Sequence, residues 1–308
     1  MHPAPSIIVF TTLSGLGYGL ACALGLGLFD PAALATKAGW VLALALIAAG
    51  LSSSTLHLGN PQRAWRAFSQ WRSSWLSREG VMAVATFVPL AVSAWLCVVE
   101  SRYSVVAGLI GSALCLVTVF CTAMIYASLK SVQAWHTPLT PLCYLFFALA
   151  CGCVAASFLA FCGAGMSRFF APAAVILLAA AWTARWFWRR RMLDMRRLST
   201  PESATGLGAI GHVRLFERPH MTENYLTREM GFKVARKHAG KLWRLALLVG
   251  AVVPVVLLFF LLIGSAQPGW PAALVAGVAA LASLLGIVME RWLFFAEARH
   301  AVMNYYGG

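Results

Sequence analysis

Two side chains able to carry protons flank a short polar stretch in an otherwise apolar chain. His57 closes one hydrophobic run, in Ser54-Thr55-Leu56-His57-Leu58-Gly59-Asn60-Pro61, and Glu79 opens the next after Leu76-Ser77-Arg78. An imidazole titrates near pH ~6.5 and a carboxylate can accept or return the proton it exchanges, so the pair suits proton traffic at neutral pH. Because each lies where an apolar run meets a polar connection, that traffic would occur at a membrane boundary.

Proton exchange at such a boundary suits a redox quinone, whose two-electron reduction adds one proton to each ring oxygen. In that reading His57 hydrogen-bonds a quinone oxygen as general acid or base. Gly59 lets the backbone approach the ring, Glu79 relays the proton to water, and Arg63 and Arg66 stabilise an anionic form of the ring. Trp65 and Trp75 fit an aromatic belt at headgroup depth better than the walls of a pocket. A histidine at a helix exit can also simply cap carbonyls, and residue type alone leaves that alternative open.

The elements that hold these residues follow from composition. Of 308 residues, 60% are hydrophobic and 11% charged, with a mean hydropathy of +0.77, far from the balance of soluble domains. Apolar runs of roughly 20 residues or more, enough to cross a hydrocarbon core, cover 6–28, 38–57, 79–99, 103–127, 142–164, 170–188, 244–264 and 271–293. The expectation is an all-α polytopic membrane protein: an eight-transmembrane-helix bundle forming one membrane domain over 1–308. The opening Met1-His2-Pro3-Ala4-Pro5-Ser6 lacks a basic n-region and runs directly into a full-length span, so this first helix is expected to be retained. Gly15, Gly17, Gly19, Gly25 and Gly27 suit close helix packing.

The net charge is +14. Threading eight spans puts all but Lys37, Arg102 and Arg168 of the 24 Lys and Arg on the side of the two termini. The positive-inside rule then predicts cytoplasmic termini. Anionic headgroups and an acidic partner account for this basicity without nucleic acid.

Two connections are long enough for structure of their own. Residues 60–78 begin Asn60-Pro61, a plausible helix start. At 100° per residue Trp65, Phe68, Trp75 and Leu76 share one arc, with Arg63, Arg66, Gln70, Ser73 and Ser74 on the other. An interfacial amphipathic helix is predicted, with Arg72 snorkelling from its apolar arc. The basic loop 189–243 carries Arg189-Arg190-Arg191 and Arg196-Arg197, a bend at Gly206, Gly208 and Gly211, and an amphipathic helix predicted over 224–243. Lys233, Arg236 and Lys237 in that helix, with Lys241 and Arg244, form either an anchor for anionic lipid or a docking face for a soluble partner; both roles are compatible.

Other polar residues are less telling. Eight cysteines lie in or beside the spans without CxxC spacing, which argues against an iron–sulfur cluster or zinc site in this chain. They suit packing as small hydrophobes. Only His57 and His136 lie where paired haem ligands would be needed, on one side and with His136 in a loop, so a b-type haem is the weaker rival. Glu290, Arg291, Glu297 and Arg299 are spaced to pair and read as charges at the end of the last helix. No pair of Gly/Pro-broken spans suggests an inverted-repeat transporter. A purely structural anchor remains a further alternative.

The run Ser54-Thr55-Leu56-His57-Leu58-Gly59-Asn60-Pro61-Gln62-Arg63-Ala64, then Leu76-Ser77-Arg78-Glu79 after a Trp/Arg-rich segment, resembles the DmsC-type membrane anchors of dimethyl sulfoxide reductase and related molybdoenzymes. So do the eight spans and the segment from Asn224-Tyr225-Leu226 to Arg236-Lys237-His238 before the seventh. The resemblance implies a protein of the bacterial inner membrane without haem, iron–sulfur cluster or metal of its own, exchanging electrons with menaquinone or ubiquinone. It implies a four-cluster ferredoxin-type iron–sulfur partner and a catalytic partner carrying molybdenum bis-guanine dinucleotide. His57, Gly59 and Glu79 fall at that family's quinol site. The N-terminal phrase and the segment from Ala67 to Glu79 are more similar to anchors of quinone-linked sulfite-oxidising relatives, in which electrons would flow toward quinone.

Overall fold

Long apolar stretches placed in lipid must satisfy their own backbone groups, and here they do so as helices. In a computed structural model of the chain, the described residues are 3–55, 60–196, 199–214, 216–217 and 234–305. They form α1 (Pro5–Gly25), α2 (Leu34–Thr55), α3 (Trp75–Val98), α4 (Val105–Ala127), α5 (Leu139–Leu159), α6 (Ser167–Asp194), the short α7 (Pro201–Thr205), α8 (Val234–Leu247), α9 (Val253–Ile263) and α10 (Trp270–Glu297). Among the described residues, eight helical segments are long and apolar enough to span a membrane, the seventh combining most of α8 with α9. The all-α, eight-span expectation therefore holds, and the spans of 21–28 residues reach about 32–42 Å at 1.5 Å per residue.

α1 is the most buried span and packs against α2, α4, α5 and α10. Small residues permit this. A Cβ added to Gly19 would strike the backbone of Ala148 in α5, and one added to Gly152 would strike Gly19. Backbone contact replaces side-chain packing there, as expected between helices in lipid. On the far side, Gly250 and Gly286 bring the seventh and eighth spans together in the same way.

The seventh span widens by one turn over Leu248–Val252 between α8 and α9. Pro254 supplies no N–H to the carbonyl four residues before it, that of Gly250. The Trp182 indole Nε1 on α6 donates to that oxygen at 3.1 Å, so a neighbouring helix satisfies the group that proline leaves open.

Residues 60–78 do not form the single interfacial helix expected from periodicity. A 3-10 helix covers only Pro61–Phe68, turns follow, and α3 already begins at Trp75. The hydroxyls of Ser69 and Ser73 donate to the carbonyls of Arg66 and Gln70. Such short-range serine bonds compete with a continuing helix ladder. Trp65, Phe68, Trp71 and Leu76 remain exposed on the protein, which fits rings immersed at headgroup depth.

The basic loop is shorter than 189–243. α6 continues through Arg189-Arg190-Arg191 to Asp194, and α8 starts at Val234 and runs into the seventh span. Two of these arginines set their guanidinium groups over aromatic rings, which lets the helix carry them: Arg190 lies over Trp186 at 5.0 Å and Arg189 over Trp243 at 5.1 Å. The first half of the helix expected over 224–243, through residue 233, lies outside the described residues.

Candidate functional site

Glu79 does not open α3; it sits one turn inside it and is only 4% exposed. Along α3, Glu79, Ala83, Thr86, Leu90, Ser93 and Cys97 are buried, a stripe at helical spacing that faces neighbouring spans. α4 answers with threonines four residues apart. The Thr122 hydroxyl donates to Glu79 Oε1 at 2.5 Å, and the hydroxyls of Thr86 and Thr118 bond each other at 2.9 Å. A carboxylate buried within the first turns of a spanning helix is costly without a role or a partner, and Thr122 is the hydrogen-bond partner this fold supplies.

The segment that precedes α3 is fastened over it. The Arg78 guanidinium lies 4.2 Å from the centre of the Trp75 ring and donates to the carbonyls of Trp71 at 3.0 Å and Arg72 at 2.6 Å. The Ser77 hydroxyl donates to the carbonyl of Ala67. Phe68 covers Gly80, where an added Cβ would meet the ring at 3.3 Å. Trp75 meets Phe120 of α4 edge to face at 6.0 Å. These contacts bring the 3-10 helix to the end of α3 that holds Glu79.

His57 and Gly59 lie outside the described residues, in the four-residue link between Thr55, the end of α2, and Asn60. Arg63 and Arg66 are exposed on the 3-10 helix, Arg66 lying over Trp65 at 5.6 Å. Neither is buried with Glu79. Residue-type reasoning missed Thr122 and Arg78. Thr118 and Thr122 stand four residues apart on one face of an apolar α4, and that pattern was the available signal. His136 bonds its Nδ1 to the Ala127 carbonyl at 2.7 Å, closing the end of α4.

The charges of the last helix need correcting. Glu290 and Arg291 are 0% and 2% exposed, so they are not helix-end charges. α10 extends two turns beyond Glu290, and Arg185 inside α6 donates from Nε to Glu290 Oε1 at 2.5 Å. Arg291 Nε lies 3.4 Å from Glu290 Oε2, and the Arg291 guanidinium lies 3.9 Å from the centre of the Tyr144 ring. The next pair, Arg189 with Glu297 at 2.8 Å, stands nearer the helix ends. One spanning arginine and an adjacent Glu-Arg were readable in the sequence; their convergence required the fold.

Lys233 lies outside the described residues, and Arg236 and Lys237 fall in the first turn of α8 with side chains outside that set. Nearby, a cleft of about 480 Å3 opens among Lys130, Arg189, Arg196, Arg299 and His300. Burial lowers the pKa of His300 below its ordinary value, so this ring adds no charge at neutral pH. The lysine and arginines supply the cleft's positive character, with Glu297 already bound to Arg189.

A family model for the DMSO reductase anchor subunit (DmsC) matches residues 1–296. The chain belongs to this family. It is also similar to a sulfite dehydrogenase subunit of Allochromatium vinosum, with 34% identity over 331 aligned residues, covering 99% of each chain. This DmsC-family protein is thus a multi-pass membrane protein and an anchor subunit of an oxidoreductase complex. In that setting a buried carboxylate at one end of a span, beneath a clamped interfacial segment, is a candidate place for exchange with a membrane-borne substrate.

Proposed function

We propose that this DmsC-family anchor exchanges electrons between the quinone pool and an iron–sulfur subunit of the four-cluster ferredoxin type. That protein would connect in turn to a catalytic partner holding molybdenum bis-guanine dinucleotide. The observation that carries the reading is Glu79: a buried carboxylate held by Thr122 at a span's polar end, 22 positions after His57 in the chain. Two electrons arriving from the clusters, with two protons, convert ubiquinone or menaquinone to its quinol. His57 and Glu79 carry those protons, Gly59 admits the ring, and Arg63 and Arg66 supply positive charge at the headgroup side. The chain itself needs no haem, cluster or metal for this.

The direction of flow favoured here is from sulfite oxidation to quinone, because the relative that aligns over nearly the whole chain belongs to a sulfite dehydrogenase. The reverse flow, with quinol reducing a terminal oxidant, is the second reading and uses the same residues. The charge bias puts the termini and His57 on the cytoplasmic side of a bacterial inner membrane.

His57→Ala in the assembled complex is expected to abolish quinone-linked turnover while dye-linked turnover persists. Loss of both together, or of neither, overturns the site. The basic helix carries the docking part of the proposal. Reversing Lys233, Arg236 and Lys237 to Glu is expected to release the soluble subunits from an anchor that still inserts, as read by co-purification. Retained assembly counts against that face.

A further inference from the structure

The cleft of about 480 Å3 is bounded by the turn that joins α4 to α5, the ends of α6 and α10, the early part of α8 and the 3-10 turn Ala301–Tyr305. Hydrogen bonds tie these pieces together. The Ala301 N–H donates to the Ser131 carbonyl at 2.8 Å, the Gln133 side chain to the Arg196 carbonyl at 3.2 Å, and the Asn304 amide to the Ser199 hydroxyl at 2.9 Å. The volume falls among pockets for small organic molecules, about 300–1,000 Å3. Its charges do not balance. Glu297 takes Arg189 through both carboxylate oxygens, which cancels that pair, and burial holds the His300 ring neutral. Lys130, Arg196 and Arg299 remain, all exposed, and among the described residues none of the three has a carboxylate partner. Three like charges around one cleft attract an anion. The Ser199 hydroxyl, accepting from Asn304, keeps its own proton to donate.

Depth and flank select the kind of anion. At 1.5 Å per residue, Arg189 stands about 33 Å from the first residue of α6 and Glu297 about 40 Å from that of α10. Both are past the roughly 30 Å of hydrocarbon and level with the headgroups. Met192, Leu193 and Met195 line the apolar side of the cleft. Leu193, Trp186 and Ala179, seven residues apart on one face of α6, are all exposed. An apolar track therefore descends the span from the cleft, the course an acyl chain would take. We propose that this cleft binds an anionic phospholipid, with Lys130, Arg196 and Arg299 around its phosphodiester and a chain along Leu193 and Trp186. Basic pockets between spanning helices hold such headgroups. An acidic peptide would match the charges but leave the track unused. Bound there, the lipid bridges the α4–α5 turn to the ends of α6 and α10 and stabilises the anchor. The site shares no residue with the proposed quinone site, so either reading can fail without the other.

The test uses the purified complex in a neutral detergent, supplied with phosphatidylglycerol, phosphatidylcholine or inorganic phosphate. Native mass spectrometry reads the bound lipid, and a melting curve reads the thermal midpoint. Wild type is expected to retain phosphatidylglycerol in preference to phosphatidylcholine, and phosphatidylglycerol should raise its midpoint. The triple variant Lys130→Gln, Arg196→Gln, Arg299→Gln should lose that preference by about 10²-fold, roughly fivefold for each cation. Gly240→Glu reaches the same end while keeping all three cations. A Cβ at Gly240, which lines the cleft, meets nothing within 4 Å, so the new carboxylate can take the place of the phosphate. It too should shed the lipid. Equal retention of the two lipids by wild type, or the wild-type preference in both variants, overturns the site. So does inorganic phosphate stabilising the complex as well as phosphatidylglycerol, which would assign the cleft to a free anion. A map of the complex with a partner's polypeptide seated in the cleft overturns it as well.

Discussion

Glu79→Gln is expected to reduce quinone-linked turnover of the assembled complex by about 10²-fold or more, the range lost when a positioned proton carrier is removed. The substitution is nearly isosteric. Glutamine Oε1 can still accept from the Thr122 hydroxyl, so the contact between α3 and α4 survives. What disappears is the proton that a carboxyl group can hold. Dye-linked turnover, which bypasses the quinone, should be unchanged, and the anchor should co-purify with its partners in normal amount. Glu79→Asp gives the control, because it keeps the acid while withdrawing it by one methylene from Thr122. It should retain more activity than glutamine does. Glutamine at wild-type rate would remove Glu79 from the reaction and leave it as a buried acid fixed by packing alone.

The eight spans were legible because lipid permits few solutions: roughly 20 apolar residues and no free backbone group means a helix. Their ends were less legible. α6 outlasts its apolar run, since Arg189 and Arg190 lie over the rings of Trp243 and Trp186 instead of stopping the helix. Periodicity overstates the interfacial helix, because a 100° repeat in Trp65, Phe68, Trp75 and Leu76 describes a face without guaranteeing a ladder beneath it. The serines at 69 and 73 interrupt that ladder locally. Glu79 could be chosen from its isolation in an apolar chain, whereas Thr122 is 43 positions away and becomes its partner only when α3 and α4 pair. The same limit hid Arg185 and Glu290, 105 positions apart. Residue type announces a buried charge, but only the packing of spans names its partner.

That buried pair makes the second large prediction, and it is asymmetric. Arg185 has Glu290 as its ion-pair partner, with its guanidinium also 4.1 Å from the centre of the Trp188 ring. Glu290 faces two cations, Arg185 at 2.5 Å and Arg291 at 3.4 Å. Removing one member of a buried pair costs about 3–5 kcal/mol, because the other is left charged and out of water. Glu290→Gln leaves two arginines in that condition, while Arg185→Met leaves Glu290 with Arg291 still beside it. Glu290→Gln should therefore be the more damaging, visible as a lower thermal midpoint of the detergent-purified complex and less anchor in the membrane. Adding Arg185→Met to Glu290→Met should recover stability only in part, since Arg291 then loses the carboxylate beside it. Equal losses from the two single variants, or full recovery in the double, would mean that Arg291 does not share Glu290. Such a result would move the charge balance of the bundle to a different partner of Arg291, with the Tyr144 ring at 3.9 Å as the nearest candidate.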